Sequence, residues 1–135
     1  MKLHLDNKQK LSEISDQFHA YFPSLKLVFF KHPHLSGEGS GPENRLNPDL
    51  SLMEARVIQS KGDISLSEDM TVAQLEQAFA NSCGLSVQVF RKSGKNWLET
   101  TASDQWTLGK QNITGMNEMP LEAEKAEDYG LHDIE

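Results

Sequence analysis

The sequence predicts an α+β domain, because two helical patterns alternate with stretches that have the pattern of strands. Apolar residues three and four positions apart indicate a helix over residues 8–21, and a capping box at Thr71 indicates a second helix. Alternating apolar residues indicate strands before and after the second helix. A chain of 135 residues buries roughly two thirds of its unfolded surface in one core, so we predict a single domain over residues 1–115.

The first predicted helix has its apolar side chains on one face. Asp6 or Asn7 is predicted to cap its start, and Pro23 ends it. Residues 25–31 are predicted to form a mostly buried strand, because apolar residues alternate along it and further apolar residues lie on its second side. The helical stripe is Leu11, Ile14, Phe18 and Phe22, and the alternating residues of the strand are Leu25, Leu27 and Phe29.

Residues 34–49 are predicted to form a mobile loop, because three closely spaced glycines are followed by Pro42. The next stretch has mixed signals. Pro48 is placed to open a short helix, whereas residues 54–59 and 63–66 have an extended pattern. We predict that the second of these extended stretches is a strand.

The clearest start signal for a helix in this chain is at Thr71. Gln74 follows three residues later, so the two side chains are placed to form a capping box. Gly84 stands where a left-handed residue ends a helix. The sequence therefore predicts a helix over residues 71–82, with a buried stripe of Val72, Leu75, Ala78 and Phe79.

A β-hairpin is predicted after the second helix. Leu85, Val87 and Val89 alternate with Ser86, Gln88 and Phe90. Residues 92–95 have the composition of a turn, and residues 96–101 form the returning strand. Residues 102–104 are predicted to cap a short turn of helix. Beyond it Trp106 returns towards the core, and then the apolar pattern fades.

The segment over residues 64–113 resembles a ubiquitin-like β-grasp domain. The resemblance implies a two-layer, β-grasp-like domain with an extra N-terminal helix, and the alternative is a ferredoxin-like α/β sandwich. Because the chain ends without the di-glycine of conjugated modifiers, we do not expect a covalent-tag role. Residues 89–101 also resemble small bacterial proteins of unassigned function. The β-grasp motifs are Ile64-Ser-Leu66, Met70-Thr-Val-Ala-Gln-Leu-Glu76, Gly84-Leu85, Gln88-Val-Phe90, Gly94 and Trp106-Thr-Leu-Gly-Lys-Gln-Asn-Ile113.

Acidic residues are concentrated in the C-terminal segment, residues 116–135. This segment holds seven acids and one base, Lys125, and so carries −6 of the formal charge of −7. Residues 1–115 have no excess positive charge to neutralise phosphates, so we do not expect nucleic-acid binding. We predict that residues 116–135 form a disordered, solvated tail, and the alternative is a disordered segment that binds a partner.

The sequence also argues against a membrane protein. No apolar run approaches the roughly 18 residues that a membrane span requires. The first ten residues lack the apolar region of a secretory signal, so we expect a cytoplasmic location.

No catalytic group can be nominated, because the sequence contains none of the common catalytic or phosphate-binding motifs. Its one cysteine, Cys83, stands at the predicted C-terminal end of a helix, where the helix dipole disfavours a thiolate, so we expect a core residue. His32 and His34 have a spacing compatible with metal binding. Two histidines lack specificity, and we expect loop residues with no metal. No cofactor is expected.

One group of residues has the composition of a contact site. Arg91, Lys92 and Lys95 lie around the predicted turn and Trp97 follows it. Arginine and tryptophan are enriched in binding hot spots, so we predict that these four residues bind a partner. Strand alternation places Trp97 and Leu98 on opposite faces, and only an outward Trp97 is free to bind. The alternative is that the tryptophan belongs to the core and the basic residues are solvated.

The sequence thus predicts a non-enzymatic protein-interaction or adaptor domain. The alternative from a different class is a small-molecule-binding or enzymatic domain with a pocket under residues 34–49. A third possibility is self-association through an edge strand. The resemblance leaves the sheet without its fifth strand, and backbone groups at the vacant edge are then unpaired.

Overall fold

The computed structural model describes residues 1–31, 44–58, 63–100 and 103–117. These residues form an α+β architecture with four helices and two small antiparallel sheets, which confirms the predicted class at this level. The finer β-grasp and ferredoxin-like assignments stay predictions. In chain order the elements are β1 (Lys2–Leu3), α1 (Leu11–Tyr21), β2 (Leu25–Phe30), α2 (Leu52–Ala55), β3 (Ile64–Ser65), α3 (Val72–Cys83), β4 (Ser86–Ser93), β5 (Asn96–Glu99) and α4 (Leu108–Asn117).

The larger sheet has β4 in its centre, between β2 and β5, and both pairings are antiparallel. Leu25 pairs with Arg91 at one end of the β2–β4 ladder, and Phe30 pairs with Ser86 at the other. The smaller sheet consists of β1 and β3. Because side chains alternate along a strand, this register divides the larger sheet into two faces with different residues.

The three longer helices, α1, α3 and α4, contribute to the core on one face, here called the inner face. Alternate residues of β2 and β4 point into this core. Phe29 of β2 meets Phe79 of α3 edge-on, with 5.5 Å between the ring centroids. Burying each such side chain stabilises the fold by roughly 1.5–3 kcal/mol. The inner-face residues of the sheet are Leu25, Leu27, Phe29, Val87 and Val89, and the helices add Leu11, Ile14, Phe18, Val72, Leu75, Phe79 and Leu108.

The prediction of α1 is confirmed, but its start differs by several residues. The helix begins at Leu11, and the side chain of Glu13 accepts a hydrogen bond from the backbone N–H of Lys10. Asp6 does not cap α1. It caps the preceding turn, where its carboxylate accepts from the Lys8 N–H at 2.9 Å.

The outer edge of β2 is closed by hydrogen bonds from outside the sheet. His19 Nδ1–H donates to the carbonyl of Leu25 at 2.7 Å, and the Ser15 hydroxyl donates to that of Leu27 at 2.8 Å. The carbonyl of Phe29 accepts from the N–H of Leu46 at 2.9 Å. Alternate carbonyls along β2 are therefore satisfied by α1 and by the segment that follows the glycine-rich stretch.

Part of the predicted loop and of the following stretch has a different structure from the one expected. Residues 34–43 lie outside the described residues, whereas residues 44–46 run beside β2 through the Phe30–Arg45 bridge. The extended pattern predicted from Glu54 is wrong at its start. Ser51 and Glu54 form a capping box there, and this box begins the short helix α2.

The prediction of α3 is confirmed in its cap, and the helix ends at Cys83, one residue beyond the predicted end. Val72, Leu75 and Phe79 of the predicted stripe are buried, whereas Ala78 is half-buried. The Thr71 hydroxyl accepts from the N–H of Gln74 at 3.1 Å, and the Gln74 side chain accepts from the N–H of Thr71 at 2.9 Å. Gly84 adopts φ +68°, which is the left-handed geometry that glycine tolerates best.

We expect Thr71→Ala to lower the free energy of unfolding by about 1 kcal/mol, because the N–H of Gln74 loses its acceptor at the first turn of α3. Urea denaturation measures this difference. Gln77→Ala is the control, because Gln77 is exposed further along the same helix and takes no part in the cap. A midpoint for Thr71→Ala equal to that of the wild type would contradict a stabilising role for this cap.

The helix α4 was not predicted beyond a short turn. It continues through Asn117, two residues past the expected boundary at 115, and residues 118–135 lie outside the described residues. Its buried positions are Leu108, Gln111 and Gly115. Gly115 allows a close approach, since a Cβ atom placed there would lie 2.7 Å from Ser24 Oγ.

Candidate functional site

The face of the sheet opposite the core, here called the outer face, carries a group of aromatic and cationic side chains. Trp97 lies there, directly across from Lys92 in the β4–β5 ladder. The Lys26 Nζ atom lies 4.8 Å from the centroid of the Trp97 ring, and the Lys92 Nζ atom lies 5.9 Å from it. The exposed ring of His19 contacts the same ring edge-on, with centroids 6.3 Å apart. We call Lys26, Lys92, Trp97 and His19 the Trp97 cluster.

Two local features of the sequence place Trp97 in this cluster. The turn between β4 and β5 contains Gly94 at φ +61°, a conformation that glycine adopts without strain. This tight turn pairs Ser93 with Asn96, and therefore Lys92 with Trp97. Since Thr100 is buried on the inner side, strand alternation directs Trp97 to the outer face, where its ring is half-buried.

Two of the cations on the outer face lie close enough to affect each other. Burial lowers the pKa of the Lys26 ammonium below its usual value, and the charge of Arg45 lowers it further. The Arg45 guanidinium lies 5.3 Å from the Phe90 ring on the same face. Within the part of the chain that the structure describes, Lys26, Arg45 and Lys92 form no ion pair, although Glu99 lies on this face. The arrangement favours a ligand that brings negative charge.

The outer face is not open over its whole area. Phe30, Gln88 and Phe90 are buried there, and Arg45 stacks over both phenylalanine rings. Gln88 Oε1 is buried and accepts no hydrogen bond from the described residues. The accessible part of the outer face is therefore the end of the sheet that carries the Trp97 cluster.

The predicted partner-binding residues are separated by the fold. Lys92 and Trp97 come together on the outer face, and Lys95 is exposed in the turn beside them. Arg91 lies on the inner face and is only 2% exposed. Its placement at the surface is corrected, because β4 continues through Ser93 and carries Arg91 into the core. A partner-binding role for the other three residues stays a prediction.

Arg91 has a structural environment that accounts for its burial. Its Nη1 donates to Gln111 Oε1 at 3.0 Å, and its guanidinium carbon lies 5.7 Å from the centroid of the Trp106 ring. Gln111 in turn donates to the carbonyl of Ser103 at 3.0 Å. This buried polar network joins β4 to α4.

Sequence reasoning missed Lys26 and His19, which complete the cluster. The alternation of Leu25, Leu27 and Phe29 already implied that Lys26 faces away from the core. Its neighbours could not be read from the sequence, because the pairing register between β2 and β4 decides which side chains meet across the sheet.

A small cavity lies beside the part of residues 34–49 that the structure describes. Its volume is about 240 Å³, and α1, β2 and residues 45–48 surround it. It is mainly apolar, and ligand pockets usually have volumes of roughly 300–1,000 Å³. The lining includes Leu11, Ser15, Leu27, Phe29, Leu46 and Pro48.

Neither the cysteine nor a group of metal ligands forms a reactive centre among the described residues. Cys83 is buried at the end of α3, and burial raises the pKa of its thiol, although Arg56 partly opposes this effect. A raised pKa disfavours the thiolate that a nucleophile requires. No group of three or more potential metal ligands occurs within the described ranges, and His32 and His34 lie outside them.

Comparison with known proteins gives no match for this chain. No family model, curated protein or solved structure compared with the chain matches it. Among the helices in the described ranges, none has the length and apolar character to cross a membrane. Function must therefore be argued from the geometry of the chain itself.

Proposed function

We propose that this protein is a non-enzymatic interaction domain that binds an acidic, aromatic-containing peptide segment of a partner protein at the Trp97 cluster. The observation that carries the proposal is the combination of a half-buried tryptophan and two flanking lysines without described acidic partners. The cluster lies on a sheet face to which the long helices contribute no core residues. The ubiquitin-like arrangement remains part of the proposal, and the element order β3, α3, β4, β5 supports it.

The chemistry of the cluster suits carboxylates and aromatic rings together. Trp97 offers a large rigid surface, and tryptophan is among the residues most enriched in binding hot spots. The ammonium groups of Lys26 and Lys92 already contact its ring, each such cation–π contact contributing roughly 0.5–1 kcal/mol at an exposed site. Carboxylates of a bound peptide would pair with these ammonium groups, and a peptide aromatic ring would stack on the free surface of Trp97.

An acidic peptide fits better than a nucleic acid. Nucleic-acid binding usually requires many neutralised phosphates, and the accessible end of this face offers only a few cations. The chain as a whole carries −7, which repels a polyanion at long range. A short acidic segment needs only local charge complementarity, and the ammonium groups of Lys26 and Lys92 beside the Trp97 ring supply it.

We expect the double substitution Lys26→Glu with Lys92→Glu to weaken binding of a synthetic acidic peptide at least tenfold, because both ammonium groups become repulsive carboxylates. The probe is a twelve-residue peptide of aspartate, glutamate and one tyrosine. Its counterpart with asparagine and glutamine tests the need for charge. A Trp106→Phe background leaves Trp97 as the only tryptophan, so fluorescence titration reports on the cluster directly.

The matched control is Lys2→Glu with Lys8→Glu, which changes the net charge equally at two exposed lysines outside the larger sheet. The control should bind the peptide like the wild type at physiological salt, where charges separated by more than about 8 Å are largely screened. Equal losses in the two double variants would place the effect in net charge and would contradict a site at Trp97.

The apolar cavity favours a second candidate function, the binding of a small apolar molecule between α1, β2 and residues 45–48. Its volume of about 240 Å³ is below the usual range for ligand pockets. Arg45 lies at its margin and would meet an acidic group of such a ligand. An acidic peptide that leaves the Trp97 fluorescence unchanged would favour this second function over the first.

A further inference from the structure

We propose that the chain's own acidic tail, residues 118–135, occupies the Trp97 cluster in the absence of a partner and competes with it. The inference rests on the proposed function, since it concerns the same surface and the same ligand chemistry. It adds regulation, because a partner must displace the tail before it binds. Three observations support it: where the tail begins, what charge it carries, and how many residues it contains.

The tail begins at the end of the sheet that carries the cluster. It follows Asn117, the last residue of α4. Two residues earlier Gly115 packs against Ser24, whose carbonyl accepts a hydrogen bond from the N–H of Lys92 at 2.8 Å. Lys92 is itself a member of the Trp97 cluster. One short chain of contacts therefore joins the start of the tail to the proposed binding surface.

The composition of the tail complements the cluster. Residues 118–135 contain seven acids and one base, so their charge is −6. Acidic and apolar residues are interspersed, and Tyr129 supplies an aromatic ring next to Asp128. These are the features that the proposed function requires of a partner peptide, namely carboxylates for the lysines and a ring for Trp97.

The length of the tail also suffices. Its 18 residues span up to about 60 Å when extended, so the tail can pass from the inner to the outer face around the end of the sheet. Tethering by a short linker gives an effective concentration in the millimolar range. A tail that binds as a free peptide with a dissociation constant of about 0.1 mM would then weaken an external ligand about tenfold.

The test compares the full-length chain with a full-length variant in which the seven acids of the tail are replaced by glutamine or asparagine. The probe is a synthetic peptide with the native sequence of residues 118–135. We expect the neutralised variant to bind this peptide about tenfold more tightly than the native chain. Acrylamide should also quench Trp97 more strongly in the neutralised variant, when both chains carry Trp106→Phe.

The control repeats both measurements with Lys26→Glu and Lys92→Glu added to each chain. If the tail acts at the cluster, neutralising it should then change neither the affinity nor the quenching. A remaining difference would show an effect of net charge and would overturn the inference. Sedimentation at several protein concentrations tests whether the tail acts on its own chain or on a second copy. A tail that binds a second copy would produce dimers, and this result would overturn the inference that the tail occupies the cluster of its own chain.

Failure of the inference can be distinguished from failure of the proposed function. If the native and neutralised chains bind the peptide equally and their Trp97 quenching agrees, the inference is overturned and the proposed function stands. If the neutralised chain binds neither this peptide nor the acidic tyrosine peptide, the proposed function is overturned together with the inference.

Discussion

Replacing Arg91 with alanine is expected to lower the free energy of unfolding by about 3 kcal/mol. The change removes a long side chain that is 2% exposed, and truncation of large buried side chains typically costs about 2–5 kcal/mol. It also removes the donor to Gln111 Oε1, and a buried polar atom without its partner costs about 1–3 kcal/mol. Contacts with Trp106 are lost as well. Urea denaturation measures the sum of these losses.

The control for Arg91→Ala is Lys92→Ala, at the next residue of β4 but on the outer face. It should change the free energy of unfolding by no more than about 0.5 kcal/mol, as surface substitutions usually do. Arg91→Met keeps much of the apolar stem and should lose less than Arg91→Ala. A loss below about 1 kcal/mol for Arg91→Ala would contradict a structural role for the network between β4 and α4.

Replacing Gly115 with valine is also expected to cost about 3 kcal/mol. The first added atom would lie 2.7 Å from Ser24 Oγ, 2.9 Å from Ser24 Cβ and 3.0 Å from Arg91 Cγ. Ser24 cannot move freely, because its N–H donates to Asn112 Oδ1 at 2.9 Å and its hydroxyl donates to the backbone carbonyl of Asn112. Forcing atoms into such a packed place costs about 1–3 kcal/mol, and valine adds two further methyl groups.

Gly115→Ala gives the sharper comparison, because two effects oppose each other. Alanine is favoured over glycine by about 1 kcal/mol inside an exposed helix, whereas the contact with Ser24 disfavours any Cβ atom. We expect the contact to prevail, so the alanine variant should be less stable than the wild type. Ile113→Val, at a residue of α4 that is 58% exposed, is the control. A stabilised alanine variant would contradict the close approach of α4 to the start of β2.

The elements that could be predicted from the sequence are those whose buried sides are apolar. In α1 and α3 every third or fourth residue is a large hydrophobic side chain, and the core contains those residues. The strand β2 and the hairpin were likewise visible in the alternation of apolar residues. In these segments the periodicity and the packing follow from the same side chains.

Helix α4 escaped prediction because its buried side is mostly not apolar. Of its three buried residues, only Leu108 has the composition that a periodicity search detects. Gln111 is buried because Arg91 and Ser103 satisfy its amide, and Gly115 is buried because its lack of a side chain allows contact with Ser24. Both reasons depend on distant residues, since Arg91 is 20 positions from Gln111 and Ser24 is 91 positions from Gly115. No local pattern contains them.

Only part of the candidate site could be predicted from the sequence, because some of its residues meet only through long-range contacts. Lys92 and Trp97 are close in the sequence, and the glycine turn between them fixes their pairing. Lys26 is 66 positions from Lys92, and it joins the cluster only through the register of two strands. Arg91 was placed at the surface because it stands next to the predicted turn, although the alternation of Val87 and Val89 leads directly to it on the inner face.

The hydrogen bonds that close β2 also limit how many chains can join through the described sheet. His19, Ser15 and Leu46 occupy the carbonyls on that side. The other edge is β5, beyond which the described residues place no further strand. A sheet with two open edges can add strands at both sides and grow into a filament. A sheet with one open edge can pair with only one other sheet. Two such chains that meet edge to edge at β5 use the available edge of each, and the assembly stops at a symmetric pair.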